Sequence, residues 1–340
     1  MKREDEFDGL QPRARLAFLN DDRIIDTAFL LFCAGLAIYH FVSISSIELP
    51  TWDAAGFLAN ARAWTNGTPL PENFRPPLLS WVINGVWTIT GENWIAVKYL
   101  PAFFTMATAV LLYLVIKKHK GSVFSMCVTS LTMLNSQVLF WGEQLMSESI
   151  SLLFLVLSLY LIKSEKPHHW FLGGITIGLT FASRYPIIIP ALTIFLVEAF
   201  VKRKPKLVSN TIAGLLPTLI LVVLTIYLKT GVVQFALPQD SNFSIYLSPY
   251  YIANWMPIWG WSFLFLPVAF LFKKTFADRQ NYVYIAWFAV AMLFWSANTS
   301  NHQDRFAFHM LPAAYFLALI GIQNIAKIIS QRLNIAMHEH

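Results

Sequence analysis

Residues 52–77 read WDAAGFLANARAWTNGTPLPENFRPP, and this polar stretch follows directly on a long apolar run over 24–44. It holds Asp53 near its start and Arg75 just before Pro76 and Pro77. An unpaired charge in hydrocarbon costs several kcal/mol, so such groups belong at a water boundary or in a polar cavity. The stretch therefore reads as an outer loop between membrane segments, and as the side on which chemistry takes place.

Working outward, 56% of the 340 residues are hydrophobic and 13% are charged, with a mean hydropathy of +0.53. These values exclude an ordinary soluble domain. Apolar spans are predicted over 24–44, 96–116, 122–140, 147–162, 169–184, 186–201, 208–228, 257–272, 281–297 and 306–326. Most approach the ~17–25 residues that cross ~30 Å at ~1.5 Å per residue. The expected fold is an all-α polytopic membrane protein of about ten transmembrane helices, with interfacial helices in the first outer loop and no separate soluble domain. Its parts are a cytoplasmic arm over 1–23, a transmembrane region over 24–326 and a cytoplasmic tail over 327–340. The outer segments cover 45–95 and 229–256.

The formal net charge of +6 does not imply a nucleic-acid partner once its distribution is followed. With a cytoplasmic N-terminus, 19 of the 25 Lys and Arg fall on the cytoplasmic side, as the positive-inside rule requires. Cys33 and Cys127 lie far apart in apolar runs, which suggests packing rather than a disulfide or a cysteine metal site. The first 23 residues mix both charges and lack a clean secretory leader.

Several residues admit a structural and a chemical reading. Asp53 alone suits the N-terminus of a helix over DAAGFLANARAW, where it would cap free N–H groups. Asn66-Gly67-Thr68-Pro69 ends that helix, and LLSWVINGVWTITG has the mixed polarity of an interfacial segment. WGEQLMSES supplies Glu143 and Glu148, either of which would be stabilised at a helix start. Arg184 closes an apolar span and reads equally as a snorkelling interfacial cation. In NTSNHQDRFAFHMLP, His302, Asp304 and Arg305 precede the last span, and the Asp-Arg pair alone would be a weak surface ion pair. Tyr246, Tyr250, Tyr251, Trp255 and Trp259 suit an aromatic belt or a wall for a lipid tail or sugar. Adjacent His168 and His169 read as solvated loop residues. Asn66, Asn242 and Asn298 head Asn-X-Ser/Thr triplets in outer loops. There is no Gly-rich phosphate loop, zinc-protease helix or nucleophile elbow.

The order Asp53, ANARAWTNGTPLPENFRPPL and GENWIAVKYLPAFFTMATAVLLYLVIKKHKG resembles the N-terminal module of the GT-C membrane glycosyltransferases. The nearest branch is the protein O-mannosyltransferase and aminoarabinose-transferase group. HQDRF is similar to the HKE(D/E)RF segment of lipid-linked and glycolipid mannosyltransferases in that class.

The resemblance implies transfer of a sugar, with mannose favoured, from a polyprenyl-phosphate-linked donor to a hydroxyl on a protein, lipid or glycan. Asp53 becomes the catalytic base. Arg75 and Arg305 become donor-phosphate contacts, joined by Arg184, while Glu148, with Glu143 in reserve, supplies a second acid. His302 and Asp304 complete the candidate set. No cofactor is required, although Asp53, Glu148 and His302 offer a divalent-metal set of the kind some family members use. A transporter of lipid-linked saccharides is the competing class, but transporters place ionisable groups near the bilayer midplane in broken helices. The glycosyl-transfer reading requires Asp53, Arg75 and Arg305 to meet in one hollow on the non-cytoplasmic side.

Overall fold

The computed structural model describes residues 21–232, 248–297 and 304–338, and these are helical, with no strand among them. In chain order the helices are α1 Asp22–Ser45, α2 Trp52–Asn66, α3 Leu78–Thr90, α4 Trp94–Lys98, α5 Leu100–Lys120, α6 Ser122–Met133, α7 Ser136–Trp141, α8 Ser147–Lys163, α9 Pro167–Ser183, α10 Ile188–Lys202 and α11 Pro205–Thr230. The remainder are α12 Tyr250–Ala253, α13 Trp255–Trp259, α14 Ser262–Phe270, α15 Lys273–Ala277, α16 Tyr282–Ala297 and α17 Leu311–His338. Most of the arm over 1–23 lies outside the described residues, as do Asn242, Tyr246, Asn298 and His302.

Among the described residues, five segments are long and apolar enough to cross a membrane: Asp22–Ser45, Trp94–Lys120, Tyr185–Lys202, Pro205–Thr230 and Leu311–Arg332. Their outward faces carry exposed Leu30, Leu31, Phe41, Leu196, Phe200, Ile220 and Leu228. A helix that is apolar on its exposed side as well as its packed side is matched to hydrocarbon. The chain is an integral membrane protein.

Two predicted spans are divided in the structure. The run over 122–140 breaks after Met133 because Asn135 leaves the helix and caps the next, its side chain accepting from the Gln137 amide at 2.9 Å. Asn135 Nδ2 also donates to the Ile258 carbonyl and to the Tyr315 hydroxyl, both at 3.0 Å. The run over 257–272 breaks at Gly260, whose φ of 54° suits a residue without Cβ.

α5 packs on α8 through buried Leu112, Ile116, Leu152, Leu155 and Leu159. α9 and α11 make the tightest approach, since a Cβ on Gly174 would strike the Thr211 carbonyl and one on Gly214 the Phe171 carbonyl. A second apolar cluster joins Phe57 of α2 with Leu79 and Ile83 of α3, Ile150 of α8, and Tyr185. This platform seats the first loop on the helical body and fixes where α2 begins.

Candidate active site

α2 starts at Trp52 after Thr51, which places Asp53 in the first turn, where the helix dipole favours an acid. The capping role that sequence suggests for Asp53 is not the one observed, because its carboxylate spans two guanidinium groups instead. Arg75 Nη2 donates to Oδ1 at 3.1 Å and Arg305 Nη1 to Oδ2 at 2.8 Å. Residues 53 and 305 thus meet across most of the chain.

Local structure explains how Arg75 reaches this point. Gly67, at φ 67°, ends α2 and turns the chain back. Asn60 then holds the returning strand of chain through two bonds to Glu72, Nδ2 to its carbonyl at 2.8 Å and Oδ1 from its amide at 3.1 Å. Glu72 accepts from Arg75 Nε, and Gly56 leaves the room both side chains need. The Arg75 guanidinium lies 5.0 Å from the Phe57 ring and 5.5 Å from the Phe74 ring, so aromatic faces support it.

Glu148 stands in the first turn of α8 and is fully buried. Its Oε1 accepts from Arg184 Nη1 at 2.6 Å and lies 3.8 Å from Arg305 Nε. Arg184 Nη1 also donates to Ser147 Oγ at 3.2 Å. Glu72, Arg75, Asp53, Arg305, Glu148 and Arg184 therefore alternate in sign from one end to the other. This order leaves none of these six charges unopposed. Burial raises the Asp53 pKa, but the hydrogen bonds and charges of Arg305, and then of Arg75, outweigh it and hold the carboxyl below its ordinary 3.8.

Asp53, Arg75, Arg184 and Arg305 line one cavity of about 370 Å³ with Phe57, Phe74, Tyr185, Trp295 and Phe306. That volume is within the range of small-ligand sites. The structure thus brings together five of the sequence candidates: Asp53, Arg75, Arg184, Arg305 and Glu148.

Glu143 is a correction. It turns toward α1, where Ser43 Oγ donates to its Oε2 at 2.6 Å and His40 Nδ1 lies 3.4 Å from its Oε1. The chain over 142–146 passes against α1 and α5 before α8 starts, so only the later acid of the loop reaches the arginines. Asp304 begins a 3-10 turn over Asp304–His309, but its side chain, like His302, lies outside the described residues. Among the described residues no three His, Cys, Asp or Glu converge as metal ligands. Sequence reasoning missed Glu72, Asn60, Ser147 and Tyr185, whose only signal was their closeness in sequence to the chosen charges.

The fold is that of the solved ArnT structures, and one family model matches 155 of the 340 residues. The matching family model is described as dolichyl-phosphate-mannose-protein mannosyltransferase and covers residues 74–228. Among solved structures, the chain is similar to ArnT from Cupriavidus metallidurans bound to undecaprenyl phosphate, with a TM-score of 0.68 at 14% identity. That match covers 86% of this chain and 60% of ArnT. It is also similar to the archaeal oligosaccharyltransferase AglB from Archaeoglobus fulgidus, in complex with an inhibitory peptide and a dolichol-phosphate. There the TM-score is 0.55 at 12% identity, covering 91% of this chain and 52% of AglB. The chain thus spans between half and three fifths of the length of these relatives. No curated protein matches it by sequence.

Proposed function

We propose that the protein transfers a sugar from a polyprenyl-phosphate donor to a hydroxyl acceptor at the non-cytoplasmic membrane face, by a single inverting displacement. The observation that carries this is the Asp53 carboxylate held between Arg75 and Arg305 in the cavity wall. Undecaprenyl phosphate and dolichol-phosphate in the two similar structures support a lipid-phosphate donor. The matching family's description favours mannose, and the acceptor is a protein, lipid or glycan.

The donor's tail stays in the bilayer while its phosphate approaches Arg75 and Arg305, with Arg184 behind them. The acceptor oxygen bonds to the anomeric carbon as the bond from that carbon to the phosphate oxygen breaks. The departing electron pair stays on the phosphate, and the acceptor proton passes to Asp53. An aspartate held below 3.8 is ionised at neutral pH but weakly basic. Phosphate oxygens that draw on the same two guanidinium groups loosen their hold on Asp53 and strengthen it as a base. Glu148 keeps Arg184 and Arg305 oriented.

Ten crossings accompany this reading, with both termini in the cytoplasm and the loops over 45–95 and 229–256 outside. The test is transfer by purified protein from a radiolabelled polyprenyl-phosphate sugar. Asp53→Asn should lower turnover by ~10²–10⁴-fold while the lipid phosphate still binds, and Arg305→Ala should weaken that binding. Near-normal turnover in Asp53→Asn removes it as the base, and a protein that moves the lipid without transferring sugar is a transporter.

A further inference from the structure

The turn that delivers Arg305 and the helix start that delivers Glu148 are joined by a buried side-chain contact. His309 closes the Asp304–His309 turn and Ser151 lies one turn into α8. His309 Nε2 is 2.6 Å from Ser151 Oγ, and both residues are fully buried. The direction of the bond follows from hydrogen count. Ser151 Oγ commits its single hydrogen to the Glu148 carbonyl at 2.9 Å, so it meets the imidazole with a lone pair and Nε2 carries the proton. The His309 carbonyl in turn accepts from Trp287 Nε1 at 2.9 Å, which ties the same residue to α16.

We propose that His309 and Ser151 are positioning residues that set Arg305 against Glu148 and Asp53, and so fix the guanidinium groups that hold the donor phosphate. This rests on the phosphate role given to Arg305 above. Glu148 lies one helical turn before Ser151, and Arg305 lies four residues before His309 in the same turn. The bond therefore fixes the register between the two elements that must bring these charges together. An apolar contact would hold the elements close without fixing that register, whereas a buried hydrogen bond specifies distance and direction. The register matters because Arg305 Nη1 reaches Asp53 at 2.8 Å while its Nε stands 3.8 Å from Glu148. A displacement of ~1 Å is enough to cost ~10²-fold where groups must be aligned.

The test measures binding of undecaprenyl phosphate and thermal stability for His309→Gln, His309→Asn, His309→Leu and Ser151→Ala. The Gln amide nitrogen reaches where Nε2 lies, while the Asn amide ends near Nδ1. His309→Gln should keep affinity within ~3-fold of wild type, and the other three should lose ~10-fold or more, at the scale of misalignment costs. Ser151→Ala, the smallest change, carries the test if the His309 variants do not fold. If Ser151→Ala and His309→Leu bind the lipid phosphate as wild type does and differ only in melting temperature, the pair is core packing and the proposal fails. If Arg305→Ala also binds it normally, the donor-phosphate reading fails instead.

Discussion

At the scale of single residues, the two acids of the WGEQLMSES loop separate cleanly. Glu148 is fully buried with Arg184 at 2.6 Å, so Glu148→Gln removes one member of a buried pair, a loss on the order of 3–5 kcal/mol. It should lower the melting temperature and weaken lipid-phosphate binding together. Glu143→Gln alters a contact to α1 and should leave that binding nearly unchanged, as titration with undecaprenyl phosphate checks. Asp53 gives a different prediction because its pKa is held below 3.8 in the folded protein. A depressed carboxyl stabilises the fold fully above its unfolded value, and the contribution disappears as pH falls through the folded one. The melting-temperature difference between wild type and Asp53→Asn should therefore stay constant from pH 7 to about pH 4 and shrink only below it. A difference already shrinking between pH 7 and 5 would place the carboxyl elsewhere.

At the scale of elements, what could be read from sequence depended on whether the signal was local. Asp53 and Arg75 were legible because charges are conspicuous between apolar runs, and Arg305 because it stands at the mouth of the last span. Glu148 was ranked ahead of Glu143 through the family resemblance alone, since which acid faces the arginines depends on α8 starting at Ser147 rather than a few residues earlier. His309 was hidden in an apolar stretch, and its partner Ser151 is adjacent only after folding. The break at Asn135 had a local signal, a capping residue inside an apolar run, but hydropathy averages it away. The α9–α11 contact was partly visible in GGITIGLTF, which holds Gly174 and Gly178, but its partner Gly214 lies on another helix. Gly174→Leu would drive a side chain into the Thr211 backbone, and overpacking of this kind costs ~1–3 kcal/mol. Thermal unfolding in detergent should show a clear loss, with a smaller one for Gly35→Leu, where a Cβ meets nothing within 4 Å.

Across the whole molecule, polar contacts sort into two ends that agree with the charge distribution. One end joins Lys117 to Asp26 at 2.6 Å, Lys120 to Asp278 at 2.5 Å and buried Lys163 to Glu198 at 3.1 Å. Lys202 adds bonds to the last carbonyls of α8 and to the Ser164 carbonyl, where a cation suits the helix dipole. The other end gathers Asp53, Arg75 and Arg305, with Lys98 donating to the Ser45 carbonyl at 3.3 Å and Lys229 to the Ala63 carbonyl at 3.2 Å. The lysine-rich end is the one the positive-inside rule assigns to the cytoplasm, and the orientation proposed for transfer has the cavity on the opposite face. In a background with Cys33 and Cys127 replaced by serine, cysteines at exposed Thr68 and Lys206 should report opposite sides. A membrane-impermeant maleimide should label Thr68→Cys in intact cells and Lys206→Cys only after the membrane is permeabilised. Labelling of both from one side, or the reverse order, would mean that a lipid-linked donor meets Asp53 from the cytoplasm, and the orientation proposed for transfer would fall.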